Sequence, residues 1–190
     1  MPIFDHFHFL APLYETFIPA RPPQRMMEYL HLPESGIILD AGGGTGRLAQ
    51  FLLGQRRTVI VLDESHNMLR QASAKPGLHP LRALAEQLPF APNSIARILM
   101  VDALHHVRNQ PQTLHEAWRV LQPGGWIVIE EPDIRHFSIK IVALAEKLAL
   151  MRSHFLAPAQ IAAQFHDPHA QLEIETAGST AWLIIHKPDA

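Results

Sequence analysis

Hydrophobic residues occur along this chain in short runs rich in β-branched side chains, and segments with helical spacing or turns separate these runs. Four runs are clear, at residues 37–39, 58–62, 95–101 and 126–129, and a weaker fifth run covers residues 78–84. Strands that alternate with helices pair in parallel and place helices on both faces of the sheet. The pattern therefore predicts a doubly wound α/β fold.

The pattern changes near the C-terminal end, where two strand-like runs follow each other directly. Residues 170–178 and 179–187 form these runs, with a turn expected at Gly178 and Ser179. A short turn between two strands is typical of a hairpin. We therefore expect a mostly parallel, seven-stranded sheet that ends in an antiparallel hairpin.

Composition narrows the class of protein. With 190 residues, of which 47% are hydrophobic, the chain suffices for one substantial core, so we expect a single domain. The net charge is −2 without a basic cluster, which argues against a nucleic-acid partner. The sequence contains no cysteine and no signal-peptide pattern, which predicts a cytoplasmic protein. Charged residues interrupt the apolar segment 139–151, so we expect no membrane insertion.

The segment GIILDAGGGTGRLAQFLL at residues 36–53 carries the first candidate chemistry. A strand that enters a glycine-rich turn and leaves as a helix brings backbone N–H groups to an anionic ligand. A dinucleotide-binding loop starting at Gly42 needs glycine at position 47, which is Arg47, and a phosphate-binding P-loop needs a Gly-Lys pair that is missing. A tight turn that simply requires glycine is the alternative interpretation.

The residues from Asp40 to Gly46 resemble the first motif of class I S-adenosylmethionine-dependent methyltransferases. Three further segments are similar to motifs of that family in the same order: an acid, Asp63, after the second strand, AEQLPFAPNSIARILMVDALHHV at 85–107, and RVLQPGGWIVIEEP at 119–132. The resemblance covers about residues 36–132. Within the family it is strongest to the small-molecule branch that includes the ubiquinone and menaquinone C-methyltransferases.

The resemblance implies S-adenosyl-L-methionine as the cofactor and a binding site at the carboxyl edge of the sheet. Asp63 is expected to accept hydrogen bonds from the ribose hydroxyls. Position 84 departs from the family, because leucine stands where an aspartate commonly accepts from the adenine amino group. The predicted cofactor-binding residues are Tyr14, Asp40, Gly42, Gly43, Gly44, Gly46, Asp63, Glu64, Met68, Leu84, Ala85, Glu86, Val101 and Leu104.

Direct methyl transfer requires alignment of the reacting groups and no covalent nucleophile. His105 and His106 follow the fourth strand and are candidate general bases, although packing histidines are the alternative. His6 and His8 lack a third ligand at suitable spacing, so we predict no metal site.

The resemblance also divides the single domain. We expect a helical cap at 1–35, a cofactor-binding core at 36–132, a helical acceptor-side region at 133–169 and the hairpin at 170–188. The apolar 133–169 segment suits a small hydrophobic or aromatic acceptor, and it equally suits a homodimer interface. The predicted function is methyl transfer to such an acceptor; a catalytically silent cofactor-binding module is the alternative, and the glycine spacing disfavours a nicotinamide-dependent oxidoreductase.

Overall fold

The computed structural model describes residues 23–148 and 153–189. One seven-stranded sheet organises them, in the order β3-β2-β1-β4-β5-β7-β6. Strands β1 to β5 pair in parallel, and β7 pairs antiparallel with both β5 and β6. The strands are β1 Ser35–Ala41, β2 Arg56–Asp63, β3 Leu78–Arg82, β4 Ile95–Val101, β5 Leu121–Pro132, β6 Gln171–Ala177 and β7 Thr180–Lys187.

Five α-helices accompany these strands within the described ranges. They are α1 Gln24–Leu30, α2 His66–Ala72, α3 Gln110–Val120, α4 Phe137–Leu148 and α5 Pro158–Ala162, and two short 3-10 helices occupy Ala49–Leu52 and Leu104–His106. Asn109 is the N-cap of helix α3, and its side chain accepts a hydrogen bond from the Gln112 amide over 3.1 Å. It continues with Pro111 in its first turn, a position where the missing N–H of proline costs nothing.

The core lies in two layers, one on each face of the sheet. Strand β4 occupies the centre and is buried almost throughout, as its sequence, apolar except for Arg97, predicts for a parallel strand covered on both faces. On one face, Met26 and Leu30 of α1 pack with Val128, whereas on the other face Leu114 of α3 packs with Ile127. Successive residues of β5 therefore serve opposite faces.

The predicted fold class is confirmed, including the mostly parallel sheet and the hairpin with its turn at Gly178 and Ser179. One expectation was wrong: the α-helix expected after the glycine turn is only the 3-10 helix Ala49–Leu52. Residues 42–48 form turns, with positive φ at Gly42, Gly44 and Gly46, and β2 begins at Arg56. Too few residues remain between the turns and β2 for several helical turns, so no long helix dipole points at this edge.

A buried arginine fixes α1 to the sheet. Arg97 of β4 donates from Nε to the Leu30 carbonyl over 2.6 Å and from Nη2 to the His31 carbonyl over 2.8 Å. Its Nη1 also donates to the carbonyls of Ala96 and Gly124. Because the last carbonyls of a helix lack partners within the helix, Arg97 acts as a side-chain cap for α1.

Helix α4 packs differently from the others, because none of its side chains is fully buried. Phe137, Leu144 and Leu148 expose more than half of their surface. Both roles predicted for the 133–169 region, an acceptor wall and a dimer interface, stay predictions. Among the described residues, no helix has the length and apolar character needed to cross a membrane.

Candidate functional site

The carboxyl ends of β1 and β2 meet at the glycine turn, and the turn is fastened to β2. The amides of Gly42 and Gly43 both donate to the Leu62 carbonyl, over 2.8 and 3.1 Å. The Gly44 amide donates to Asp63 Oδ2 over 2.9 Å, and the Gly46 amide donates to the Gly43 carbonyl. Each of these four glycine amides has a protein acceptor, and the predicted binding of an anionic ligand by the turn stays a prediction.

The glycines are nevertheless required by geometry. A Cβ on Gly42 would lie 2.6 Å from Ala103 Cβ, and a Cβ on Gly46 would lie 2.7 Å from Leu78 Cδ1. Gly44 differs, because a Cβ added there would meet its nearest neighbours, Met68 Sδ and Asp63 Oδ2, only at 3.9 and 4.0 Å. The φ of +56° explains the glycine at 44, and the space beside it allows a ligand to approach the backbone closely.

Asp63 stands at the end of β2, next to this space. Its Oδ2 accepts from Gly44 and its Oδ1 accepts from the Ser65 amide over 2.8 Å. Gly44, Asp63 and Met68 lie around one open space at this edge, and we call these three residues the cradle. The predicted binding of the ribose hydroxyls by Asp63 stays a prediction.

The predicted adenine-side residues lie on the loops after β2 and β3. Glu86 Oε1 accepts from the Arg108 amide over 2.8 Å, and the Arg108 side chain approaches Glu64 Oε2 at 3.5 Å. The structure thus brings Glu64 and Glu86 together around Arg108, although such an exposed ion pair contributes little stability. Ala85 is buried, whereas Leu84 keeps 38% of its surface exposed.

An open cavity of about 480 Å³ lies at the same edge, on the face covered by α1. We call it the edge cavity. The start of α1, residues 47–48, the ends of β4 and β5, and Trp182 line it. Of the predicted site residues, Val101 lines it, and the described residues of the 133–169 region contribute none of its lining.

Charged and aromatic groups share the edge cavity. Trp182 Nε1 donates to Glu130 Oε2 over 2.7 Å, and the Arg25 guanidinium carbon lies 5.3 Å from the centre of the Trp182 ring. Arg47 lies on the other side, next to the glycine turn. An aromatic side chain, two cations and carboxyl groups therefore contribute to one concave surface.

Two aspartates at this edge have shifted pKa values. Burial raises the pKa of Asp40 to about 7, with the charge of Asp63 adding to this effect and that of Arg47 opposing it. The Asp102 residue is exposed at the cavity, yet the protein atoms around its carboxyl group and the charges of Glu131 and Glu130 raise its pKa to about 6. Asp102 also has a φ of +51°, which is uncommon for a non-glycine residue.

His105 and His106 lie away from the edge cavity lining. His105 is buried, stacks on Phe155 with ring centres 4.2 Å apart, and places its Nδ1 2.5 Å from Glu131 Oε2. Burial alone lowers the pKa of His105, but the hydrogen bond and charge of Glu131 outweigh it and the net pKa is raised. His106 Nδ1 lies 3.2 Å from Ser153 Oγ. The general-base role stays a prediction.

The remaining predicted residues are either buried near the edge of the sheet or lie outside the described residues. Met68 and Leu104 are buried beneath the edge. Tyr14, His6 and His8 lie outside the described residues, as does most of the predicted cap at 1–35, of which α1 is a described part.

Sequence reasoning missed Arg47, Glu130, Glu131 and Trp182. Arg47 directly follows the motif glycines, and the sequence analysis considered it only as the residue that rules out a dinucleotide-binding loop. The adjacent acids Glu130 and Glu131 at the end of a strand were the available signal, because two successive acids next to a buried run are unusual. Nothing in the sequence pairs Trp182 with them.

Comparisons with known proteins agree with this geometry. Residues 39–129 match the protein family described as Methyltransferase domain. The ubiquinone/menaquinone biosynthesis C-methyltransferase UbiE of Vibrio cholerae is 34% identical over 122 residues, which are 59% of this chain and 42% of that protein. UbiE of Coxiella burnetii is 38% identical over 104 residues, covering 50% and 42%. The chain thus spans less than half the length of these curated relatives.

Solved structures share the whole fold at low sequence identity. A chain from the Haloferax volcanii complex between the Trm112 methyltransferase activator and a methyltransferase superposes with a TM-score of 0.81 at 17% identity, covering 98% of this chain and 99% of that one. A SAM-dependent methyltransferase from Thermotoga maritima gives 0.74 at 19% identity, covering 95% and 97%. At such identity the likeness concerns the fold.

The seven-stranded fold is that of class I S-adenosylmethionine-dependent methyltransferases. Residues 39–129 match the Methyltransferase domain family, and the predicted resemblance is confirmed. The comparisons imply S-adenosyl-L-methionine as the cofactor. The chemistry of the cradle suits the ribose of that cofactor, because the open backbone at Gly44 and the carboxylate of Asp63 lie side by side.

Proposed function

We propose that this protein transfers a methyl group from S-adenosyl-L-methionine to a small aromatic acceptor that enters the edge cavity. The observation that carries this proposal is the position of the cavity. It begins at Arg47 and Leu48 beside the glycine turn and reaches Trp182 and the end of β5. A cofactor in the cradle and an acceptor in the cavity would therefore be neighbours, as direct transfer requires.

The cofactor, when bound, supplies an electrophilic methyl group on a sulfonium. The chain's own residues would bind and orient the partners: Asp63 and Gly44 hold the ribose, while Arg47 is the cation placed to meet a carboxylate at the start of the cavity. The open backbone at Gly44 permits close approach. Such in-line displacement depends on alignment and on a site that suits dispersed charge.

Trp182 supports an aromatic acceptor, because its mostly buried indole contributes an apolar patch to the cavity lining. Its Nε1 bond to Glu130 and the guanidinium of Arg25 hold the ring in place. Two UbiE relatives are named as C-methyltransferases of ubiquinone/menaquinone biosynthesis. Ring carbons of quinol-like or phenolic compounds are therefore the first acceptors to test.

A phenolic acceptor becomes more nucleophilic when its hydroxyl loses a proton. Asp102 lines the cavity with a pKa raised to about 6, and the pKa of Glu130 is raised by burial. A base works best when its pKa lies near the working pH. We assign the proton-accepting role to Asp102, because His105 and His106 do not line this cavity.

The test combines binding and transfer. We expect calorimetry to show binding of S-adenosylmethionine and S-adenosylhomocysteine but not of NAD, and methyl-labelled cofactor to label a quinol or phenol. Asp102→Asn should slow transfer by about 10²- to 10⁴-fold, the usual range for a general base, with cofactor affinity retained. Glu173→Gln on the exposed side of β6 is the matched control. NAD binding of equal affinity would overturn the cofactor assignment.

The second candidate is a cofactor-binding module without transfer activity. The internal acceptors of the glycine amides and the leucine at position 84 favour it, because both remove contacts that would hold a cofactor. Tight cofactor binding without labelling of any quinol, phenol or small acid would support this candidate against the enzyme.

A further inference from the structure

His105, His106 and Glu146 form a cluster on the sheet face opposite the edge cavity. One potential ligand atom from each of the three side chains lies within 4.8 Å of the other two. The histidines belong to the 3-10 helix after β4, and Glu146 lies in the last turn of α4. From this convergence we propose that the cluster binds one divalent transition-metal ion, with zinc as the reference ion.

The first support is the way in which His105 is held. Its Nδ1 faces Glu131 Oε2, and Glu131 Oε1 accepts from the amides of Ala103 and Leu104 over 3.1 and 2.7 Å. An acid fixed by two backbone amides orients the imidazole and keeps the Nδ1 proton directed at itself. Nε2 is then the nitrogen available to a metal. A carboxylate behind a ligating histidine is a common feature of metal sites.

The second support is the position of His106 beside His105. The two imidazole rings lie 4.0 Å apart between centres, and Ser153 Oγ is near His106 Nδ1.

The third support is an unexplained buried oxygen. Glu146 Oε2 is shielded from solvent and has no hydrogen-bond partner among the described residues. A buried carboxylate oxygen without a partner is costly, so a cation or a donor is expected beside it. His105 and His106 each bring one potential ligand atom within 4.8 Å of a carboxylate oxygen of Glu146.

The donor set selects the class of ion. Two imidazoles and one carboxylate suit zinc and its first-row neighbours, whereas magnesium and calcium prefer sites made of oxygen ligands. A bound ion would also explain how α4 stays in place, since this helix buries no side chain completely. The site is independent of the proposed methyl transfer, because none of its residues lines the edge cavity.

The experiment uses the full chain without a polyhistidine tag, freed of metal by chelator and titrated with cobalt(II) as a visible-absorption probe and then with zinc(II). We expect one high-affinity equivalent per chain, d–d absorption bands with cobalt, displacement by zinc and a higher melting temperature with either ion. Glu131→Gln should weaken binding by about 10- to 100-fold, as loss of an orienting carboxylate does elsewhere.

The decisive variants are His106→Ala and Glu146→Gln, each of which should raise the zinc dissociation constant at least about tenfold by removing one of three ligands. His79→Ala on β3 and Glu173→Gln on β6 are exposed controls that should bind as the wild type does. Circular dichroism confirms that each variant is folded. No tight equivalent in the wild-type protein, or equal binding by folded Glu146→Gln, would overturn the proposal.

Discussion

The Gly44 amide donates to Asp63 Oδ2 over 2.9 Å and thereby joins the carboxyl ends of β1 and β2. The same carboxylate accepts from the Ser65 amide at the start of α2. Asp63 is therefore both a fastening for the glycine turn and the acid offered to a ligand. A substitution at this position should affect the shape of the cradle as well as its hydrogen bonding.

Asp63→Ala should weaken S-adenosylhomocysteine binding by about 1.5–3 kcal/mol, or roughly 10- to 150-fold, because charge-assisted bonds to the ribose are lost. Isothermal titration calorimetry measures the change. Asp63→Asn keeps one carbonyl acceptor and should bind with intermediate affinity, and Glu173→Gln should bind like the wild type. An unchanged dissociation constant in Asp63→Ala would show that the acid serves the turn alone.

Leu84→Asp should tighten cofactor binding by about two- to tenfold, because one hydrogen bond contributes about 0.5–1.5 kcal/mol. The side chain is partly exposed, so a carboxylate is tolerated there without a large burial cost. Leu84→Ala separates the loss of the apolar contact from the gain of an acceptor. Weaker binding by a folded Leu84→Asp protein would mean that this position does not face the adenine amino group.

The buried carboxyl of Asp40 should make stability depend on pH. Its pKa is about 7 in the folded protein and 3.8 for an unperturbed aspartate, so between these values the unfolded chain releases a proton that the folded chain retains. The free energy of unfolding of the wild type should therefore fall as the pH rises towards 7. Asp40→Asn has no carboxyl group to titrate, so its free energy of unfolding relative to wild type should increase by about 2–3 kcal/mol from pH 5 to pH 8. Urea unfolding at pH 5 and pH 8 measures this difference, and parallel pH profiles of the two proteins would contradict the prediction.

Arg97→Met should destabilise the fold by about 2–4 kcal/mol, because carbonyls at the end of α1 and at Ala96 lose a charged donor. Arg56→Met at the exposed start of β2 is the matched control and should stay within about 0.5 kcal/mol of wild type. Denaturant unfolding compares the three proteins. Equal stabilities of Arg97→Met and wild type would show that water replaces the guanidinium.

Local sequence patterns were sufficient to predict the strands and the glycine turn. Strand positions were predictable because a buried parallel strand is a mostly apolar run, as at 95–101, and the hairpin was predictable from two strand-like runs around Gly178. The glycines at 42, 44 and 46 marked a turn that other residues cannot adopt without strain or clash. These are local properties, which neighbouring residues fix without the rest of the chain.

Which distant side chains meet depends on the packing of the folded chain. The amides of Gly42, Gly43 and Gly44 donate to Leu62 and Asp63 because β1 and β2 pair in a register that the sequence does not state. Glu130 and Glu131 are neighbours in sequence, yet the pleat of β5 directs one to Trp182 in the edge cavity and the other to His105 on the opposite face. The partners in the Gly44–Asp63 and Glu130–Trp182 bonds lie 19 and 52 residues apart, so only the packed sheet brings them into contact.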